Sequence, residues 1–185
     1  MEALEAIHGR YSAGALNPDP VPRHLIDTLL SAAAQAPNHY KVRPWRFAVV
    51  LGDGRNRLGE VMAASLKRRH PDLPAEGADK TRRLPLRAPV LIAVGVDQPA
   101  EPRVVEIENV CAAAAACENI LLAAHALGLA AKWRTGEWAN DLAVKEFLGY
   151  SRDQRIVAFL YIGYPEFAPA RQQRPSFEDR TTWIE

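Results

Sequence analysis

A chain of 185 residues, 48% of them hydrophobic, is long enough for a real core and suits one domain, or one domain with an excursion. Its formal charge of +1 gives no global reason to expect nucleic acid or an acidic membrane as partner. The two cysteines, Cys111 and Cys117, lie six positions apart on one expected helix and point away from each other, so they suit neither a disulfide nor a metal motif, and the reduced cytoplasm is the natural home.

The N-terminal MEALEAIHGR is acidic and lacks a continuous apolar run, so no signal peptide is expected. Glu2 to His8 reads as a short helix ending at Gly9, with Arg10, Tyr11 and Ser12 in the following turn. Three prolines between Asn17 and Pro22 precede Leu25, Ile26, Leu29, Leu30 and Ala33, whose spacing predicts a helix with one buried face. It ends near Pro37 and Asn38, where the chain turns basic through His39, Tyr40, Lys41 and Arg43 before Pro44-Trp45. Arg46 to Leu51 is strand-like, and Gly52 to Gly54 turn it into a helix from Arg55 to about Arg69. The stretch 70–87 is basic, proline-punctuated and weakly periodic, and is expected to be a mobile excursion. Val90 to Val96 is apolar throughout, as for a strand covered on both sheet faces.

Asn109 to Gly136 organises the rest. Alanine at Ala112 to Ala116 combines high helix propensity with little bulk, so the backbone can lie close to a neighbour. Gly128 stands where a left-handed helix stop is expected, and Leu129 to Arg134 reads as a strand. A membrane span is disfavoured, because Glu118, Asn119 and His125 would fall inside it. A helix over Asn140 to Leu148 stops at Gly149, and Arg155 to Gly163 reads as the last strand. The remainder, with Pro165, Pro169, Pro175 and Trp183, cannot build its own core. It is expected to be a C-terminal arm over 164–185, either disordered or wrapped on a neighbouring subunit with Phe177 and Trp183 buried there, the second being preferred because exposed aromatics in a free tail are disfavoured. Strands separated by helices point to one layered α+β or α/β domain over 1–185.

Hydrolytic and metal arrangements are not recognisable. The five histidines have no paired ligand spacing, and neither a phosphate loop nor a Gly-x-Gly-x-x-Gly after a strand occurs. The basic runs Lys67 to His70 and Lys80 to Arg87 lack interleaved aromatics and read as a solvated face. Three basic turns remain: Gly9 to Ser12, His39 to Trp45, and Trp133 to Gly136. Together they combine cations, hydroxyls and aromatic planes, the chemistry a phosphorylated planar cofactor needs.

The order of these motifs resembles the nitroreductase family, most of all its small bacterial NAD(P)H nitroreductase branch. Arg10-x-Ser12 precedes a proline-started helix; Ala36-Pro37-x-His39 and Pro44-Trp45-x-Phe47 follow; then come Ala88-Pro89-Val90-Leu91-Ile92 and an Ala-rich helix ending Leu127-Gly128-Leu129 before Trp133-Arg134-Thr135-Gly136. The likeness runs from Ala3 to about Pro165. It implies a mostly antiparallel sheet of four to five strands flanked by helices, with the Ala-rich helix at the interface of a homodimer binding one FMN at each of two subunit junctions. The implied activity is electron transfer from NADH or NADPH to a nitroaromatic or quinone in ping-pong fashion. Other reactions of the fold, dehydrogenation or reductive removal of a ring substituent, and a non-catalytic flavin-binding module are the alternatives. Carried over, Arg10, Tyr11 and Ser12 would hold the phosphate and ribityl end, Gln35 and His39 would reach the flavin of the partner subunit, and Trp133, Arg134 and Thr135 would return to the cofactor. No side chain is implied as a catalytic nucleophile.

The resemblance also assigns pyridine-nucleotide contact to Ala123, Ala124, His125, Ala126, Leu127 and Gly128. A helix C-terminus presents carbonyls and partial negative charge, poor for a phosphate, so core packing is the preferred reading. Two departures stand out. Many relatives carry a second arginine where this chain has Ala13, Gly14, Ala15 and Leu16, which shifts phosphate neutralisation to Arg174 or another tail arginine. Arg43 replaces the usual glutamine before Pro-Trp, and a fixed positive charge near a flavin would raise its reduction potential.

Overall fold

Apolar strands that alternate on two faces organise the molecule. The computed structural model describes residues 1–167 and 174–185; residues 168–173 of the expected arm, Pro169 among them, lie outside the described residues. The strands are β1 (Trp45–Leu51), β2 (Val90–Val96), β3 (Ala130–Arg134) and β4 (Arg155–Gly163), in the order β1-β2-β4-β3 with every pairing antiparallel. This is the layered α+β class expected, with four strands. β2 is buried at all of its positions, because its neighbours flank both edges and helices cover both faces.

Among the described residues six α-helices complete the layers: α1 (Ala3–Gly9), α2 (Arg23–Ala33), α3 (Asp53–Arg69), α4 (Ala75–Arg82), α5 (Glu106–Ala126) and α6 (Leu142–Phe147). On the first face, Ile92, Val94, Leu160 and Ile162 pack with Leu29 of α2 and with Ala113, Ala116, Cys117 and Ile120 of α5. On the second, Leu91, Ala93, Phe159 and Tyr161 meet Leu58 and Met62 of α3 and Val144 of α6. Burying such side chains is worth about 1.5–3 kcal/mol each before entropy is counted.

α5 begins at Glu106, ahead of the expected Asn109. Glu106 and Glu108, which the sequence placed before the helix, occupy its first turn, where unpaired N–H groups and the positive dipole end favour carboxylates. The helix has the length and mean hydropathy of a membrane span, yet it is wedged between α2 and the sheet. Its amides are tied there: Asn119 Nδ2 donates to Ala32 O at 3.0 Å and Asn109 Nδ2 to Asp97 O at 3.3 Å. The C-terminus closes as a Schellman motif, Leu129 N to Ala124 O at 2.8 Å and Gly128 N to His125 O at 3.1 Å, with Gly128 at φ 75°.

The stretch 70–87, expected as a mobile excursion, holds α4 and a 3-10 turn over Leu84–Arg87, both packed on α3. The reason lies at Gly59, where a Cβ would run into the carbonyl of Arg82. Only glycine lets α4 come so near. Arg82 also pairs with Glu60 at 2.6 Å and with Asp79, so part of the basic run is neutralised locally.

Gly59→Ala is therefore expected to destabilise by about 1–3 kcal/mol through overpacking, against the gain that alanine brings in an open helix. A thermal melt checks the sign; a higher midpoint would show that α4 yields freely. Burial pushes the Cys117 thiol up to about 12. Above its unfolded value near 8.5, the unfolded chain binds fewer protons than the folded one, so this contribution to stability falls as pH rises toward 12. Denaturant titrations at pH 8 and pH 10 are expected to differ by about 1–2 kcal/mol less in Cys117→Ala than in the parent.

Candidate functional site

The end of α1 is set against the last turn of α5 because Gly9 carries no side chain; a Cβ there would meet the His125 imidazole. The next residues are thereby delivered to the free edge of β3. Ser12 pairs in parallel with Ala131, and Ala13 N donates to Ala131 O at 3.1 Å. Tyr11 stands edge-on to His125, ring centroids 6.1 Å apart. Arg10 Nε lies 3.4 Å from Glu118 Oε1, with the arginine side chain 17% exposed. From the far end of the sequence, Arg174 Nη2 donates to Arg10 O at 2.9 Å. Arg10, Ser12 and Arg174 therefore converge on one edge of the sheet.

β3 sorts its own residues by alternation. Trp133 packs with Ala131 toward the α5 face. Lys132 and Arg134 lie on the other face, in register with Tyr161 and Phe159 of β4. The side chains of Trp133 and Arg134 leave the strand on opposite faces, yet both residues border the cavity at its end, with Thr135 and Gly136. Beyond this strand end lies a cavity of about 450 Å³ whose lining includes Arg134, Thr135, Gly136, Trp138, Phe159 and Tyr161. Trp138 is held by Arg69, whose guanidinium carbon lies 5.2 Å from the ring centroid while its Nη1 pairs with Glu137 at 2.7 Å.

Gln35 and His39 stand elsewhere. His39 Nδ1 is 3.3 Å from Glu108 Oε1, and both border a groove of about 440 Å³ with Cys111, Ala112 and Ala115 of α5. Gln35 Nε2 donates back to Ser31 O at 3.5 Å. Glu108 and Glu118 are separated by roughly 15 Å of helix at 1.5 Å per residue, so the Arg10 and His39 groups do not meet within one chain.

The loop between α2 and β1 carries a feature that nothing in the sequence pattern marked. Tyr40, Lys41 and Arg43 adopt φ of 50°, 56° and 49°, left-handed values that cost a non-glycine residue about 1–2 kcal/mol each. The loop is closed by Arg43 N donating to Asn38 Oδ1 at 2.9 Å, and Arg103 lies over the Tyr40 ring at 4.7 Å. Arg43 is exposed and points no donor at a described carboxylate.

Ala123 to Gly128 form the end of α5. Ala124 is fully buried, Ala123 and His125 are half-buried with His125 beside Gly9 and Tyr11, and Ala126, Leu127 and Gly128 are exposed, so among the six only Ala124 lies in the core. The sequence reading passed over Lys132, Arg87 and Tyr161, which line a second, smaller cleft with Gly14 and Arg134. Burial raises the Tyr161 phenol, and the guanidinium groups of Arg134 and Arg87 oppose that rise. The only sign in the sequence was the alternation of AAKWR.

The profile described as the nitroreductase family matches residues 7–164. YdjA of Escherichia coli K12, which bears the name of an NAD(P)H nitroreductase, is 34% identical over 167 residues that cover 90% of each chain. The crystal structure of a nitroreductase-like family protein from Bacillus cereus superimposes with a TM-score of 0.85 at 28% identity, spanning 100% of this chain and 97% of that one. A nitroreductase from Desulfovibrio desulfuricans, solved in complex with FMN, gives 0.74 at 25% identity and covers 95% and 92%.

Because Glu118 competes for Arg10, Glu118→Gln is expected to raise the affinity for inorganic phosphate about two- to fivefold, the worth of a part-exposed ion pair. Calorimetric titration reads this directly; a weaker affinity would mean that Glu118 positions the guanidinium instead of occupying it.

Proposed function

Since this chain belongs to the nitroreductase family, we propose that it is an FMN-dependent oxidoreductase that takes electrons from NADH or NADPH and passes them to an electron-poor acceptor such as a nitroaromatic or a quinone. The observation that carries the proposal is the convergence of Arg10, Ser12 and Arg174 on the edge of β3. A phosphate ester calls for permanent, fork-shaped cations; a polyol chain calls for hydroxyl and backbone partners; a planar ring calls for an apolar or aromatic wall. The residues present fit all three demands. When bound, FMN supplies the electron exchange between nicotinamide and acceptor that no side chain here can perform.

The chain's own part is to bind and orient. Arg10 and Arg174 hold the phosphate, which explains how the chain manages with Ala13, Gly14, Ala15 and Leu16 where many relatives carry a second arginine. Ser12 offers its hydroxyl to the ribityl chain, Tyr11 closes the same turn, and Thr135 with the backbone of Trp133 and Arg134 borders the ring. Gln35 and His39, which follow α2 and stand apart from this set, reach it from a second copy of the chain. Glu108 keeps the His39 ring oriented through Nδ1. Arg43 adds a fixed charge to the same junction, and a cation there would raise the reduction potential of the bound group.

A homodimer is part of the proposal. Leu4, Ile7, Val105 and Ile107 are exposed on α1 and at the start of α5, and Trp183 and Ile184 are 79% and 94% exposed in the single chain. The apolar side chains of α1 and α5 stand toward both ends of α5, and a second copy of the chain would cover them. The C-terminal residues, with Phe177 and Trp183, then lie on the partner. Reductant and acceptor take turns at one place, so parallel-line initial-rate patterns are expected. Both cysteines are free, in keeping with a cytoplasmic home.

The purified protein is expected to show a flavin absorbance spectrum, or to acquire one on adding FMN, and to oxidise NADH or NADPH when a nitroaromatic is supplied. Arg10→Ala and Arg174→Ala should each weaken FMN binding roughly 10- to 100-fold, the loss of one charge-assisted hydrogen bond of about 1.5–3 kcal/mol. A colourless protein that takes up no FMN would sink the proposal.

A further inference from the structure

One stripe of α3 lines the cavity at the end of β3 and also grips the segment that completes its lining. Leu58, Met62, Ser65 and Arg69 recur at steps of four, three and four, the spacing that brings side chains onto one helical face. The first two are apolar and border the cavity directly. The last two are polar and reach the chain that follows β3. Ser65 Oγ donates to Asp141 Oδ2, Arg69 Nη1 pairs with Glu137 Oε2 at 2.7 Å, and Arg69 Nη2 lies 3.7 Å from Asp141 Oδ2.

After Arg134 the chain leaves the sheet through Gly136, at φ 76°, and folds into a 3-10 turn over Glu137–Ala139. Thr135, Gly136 and Trp138 line the same cavity as Leu58 and Met62. Arg69 ties this turn to α3 in two ways at once, by its ion pairs and by stacking, since its guanidinium carbon stands 5.2 Å from the Trp138 ring centroid. An exposed ion pair alone contributes little. The Asp141 side chain, however, is only 5% exposed, and it caps α6 by accepting from Ala143 N at 3.0 Å and Val144 N at 3.1 Å. The guanidinium is thus set against a carboxylate that is itself fixed. Pairing and stacking together call for a planar fork, which arginine has and lysine lacks.

We propose that Arg69 is a positioning residue for the oxidoreductase activity: through Trp138 and Glu137 it fixes the part of the cavity wall that follows Thr135 and Gly136, beside the ring of the bound cofactor. The inference rests on the FMN reading above, and it gives Arg69 no contact with the reacting atoms. Without the guanidinium the cavity keeps its lining residues and loses the tie that holds Trp138 at a set distance from Leu58 and Met62. Displacements of about 1 Å in a site can cost up to about 10²-fold in rate even when the altered residue is remote from the chemistry. The phosphate end of the cofactor is held elsewhere, by Arg10 and Arg174 at the edge of β3. Cofactor affinity and turnover are therefore expected to part when Arg69 is changed.

The test compares the FMN-loaded parent with Arg69→Met, which keeps an apolar contact with the indole and removes the fork, and with Arg69→Lys, which keeps the charge alone. With NADPH as reductant and 4-nitrobenzamide as acceptor, kcat/KM for the acceptor is expected to fall about tenfold in Arg69→Met, while the Kd for FMN stays within about threefold of the parent. Arg69→Lys is expected to fall nearly as far. Because Arg69 acts through Trp138, adding Arg69→Met to Trp138→Leu should cost less than about twofold more. Thermal melts verify that each variant is folded at the assay temperature. Unchanged kcat/KM in folded Arg69→Met, parental values in Arg69→Lys, or full additivity with Trp138→Leu overturns the proposal. A loss of FMN affinity as large as the loss of kcat/KM also overturns it, being the mark of a merely structural role. A parent that takes up no FMN defeats the cofactor reading and this inference with it, whereas a yellow parent with an insensitive Arg69→Met defeats this inference alone.

Discussion

The close seating of α5 against the sheet is the constraint from which the rest follows. Ala113, Ala116 and Ala124 are fully buried, and any larger side chain at these positions would push the helix off Ile92 and Leu160. Once seated, α5 presents carboxylates at two levels, Glu108 near its start and Glu118 further along. Each takes a basic group from a different loop, His39 in one case and Arg10 in the other. The helix thus acts as a ruler that keeps these two basic groups a fixed distance apart. In the homodimer proposed above, each group would belong to one half of a site that the second copy completes.

The sheet makes the second division. Because β3 alternates, its five residues address two faces, and Lys132 and Arg134 lie away from α5, Lys132 on the smaller cleft and Arg134 on both that cleft and the larger cavity. Ser12 and Ala13 extend the edge beyond β3, so the N-terminal turn is held by main-chain hydrogen bonds and its side chains are left for a ligand. Main-chain anchoring of this kind fixes position without consuming the functional groups.

Much of this architecture could be read from the residues. VLIAVGV and RIVAFLYIG coincide with β2 and β4, because a strand covered on both faces needs an uninterrupted run of apolar residues, here rich in β-branched and aromatic side chains. Gly128 marked the end of α5 correctly, since the αL position tolerates few other residues. The start of α5 was harder: Glu106 and Glu108 look like loop residues in sequence, and only the helix dipole gives them their place. The order of 70–87 was hidden because it depends on the meeting of Gly59 with Arg82, a contact between two helices whose composition alone is merely basic. The grouping of Arg87 with Lys132 and Arg134 was hidden for the same reason. It arises from strand register and from a turn far away in the chain, and no local pattern records either.

The left-handed loop at residues 40–43 has one further consequence. Glycine would satisfy those φ angles without strain, yet the positions hold Tyr40, Lys41 and Arg43, and among the described residues Arg103 stacks on Tyr40. In the homodimer proposed above, the strain would be offset by what those side chains touch once a second subunit covers the groove beside them. Folding and assembly are then linked through mass action. For such a protein dilution is a stress of the same kind as heat, and subunit concentration becomes a determinant of how well the loop keeps its shape.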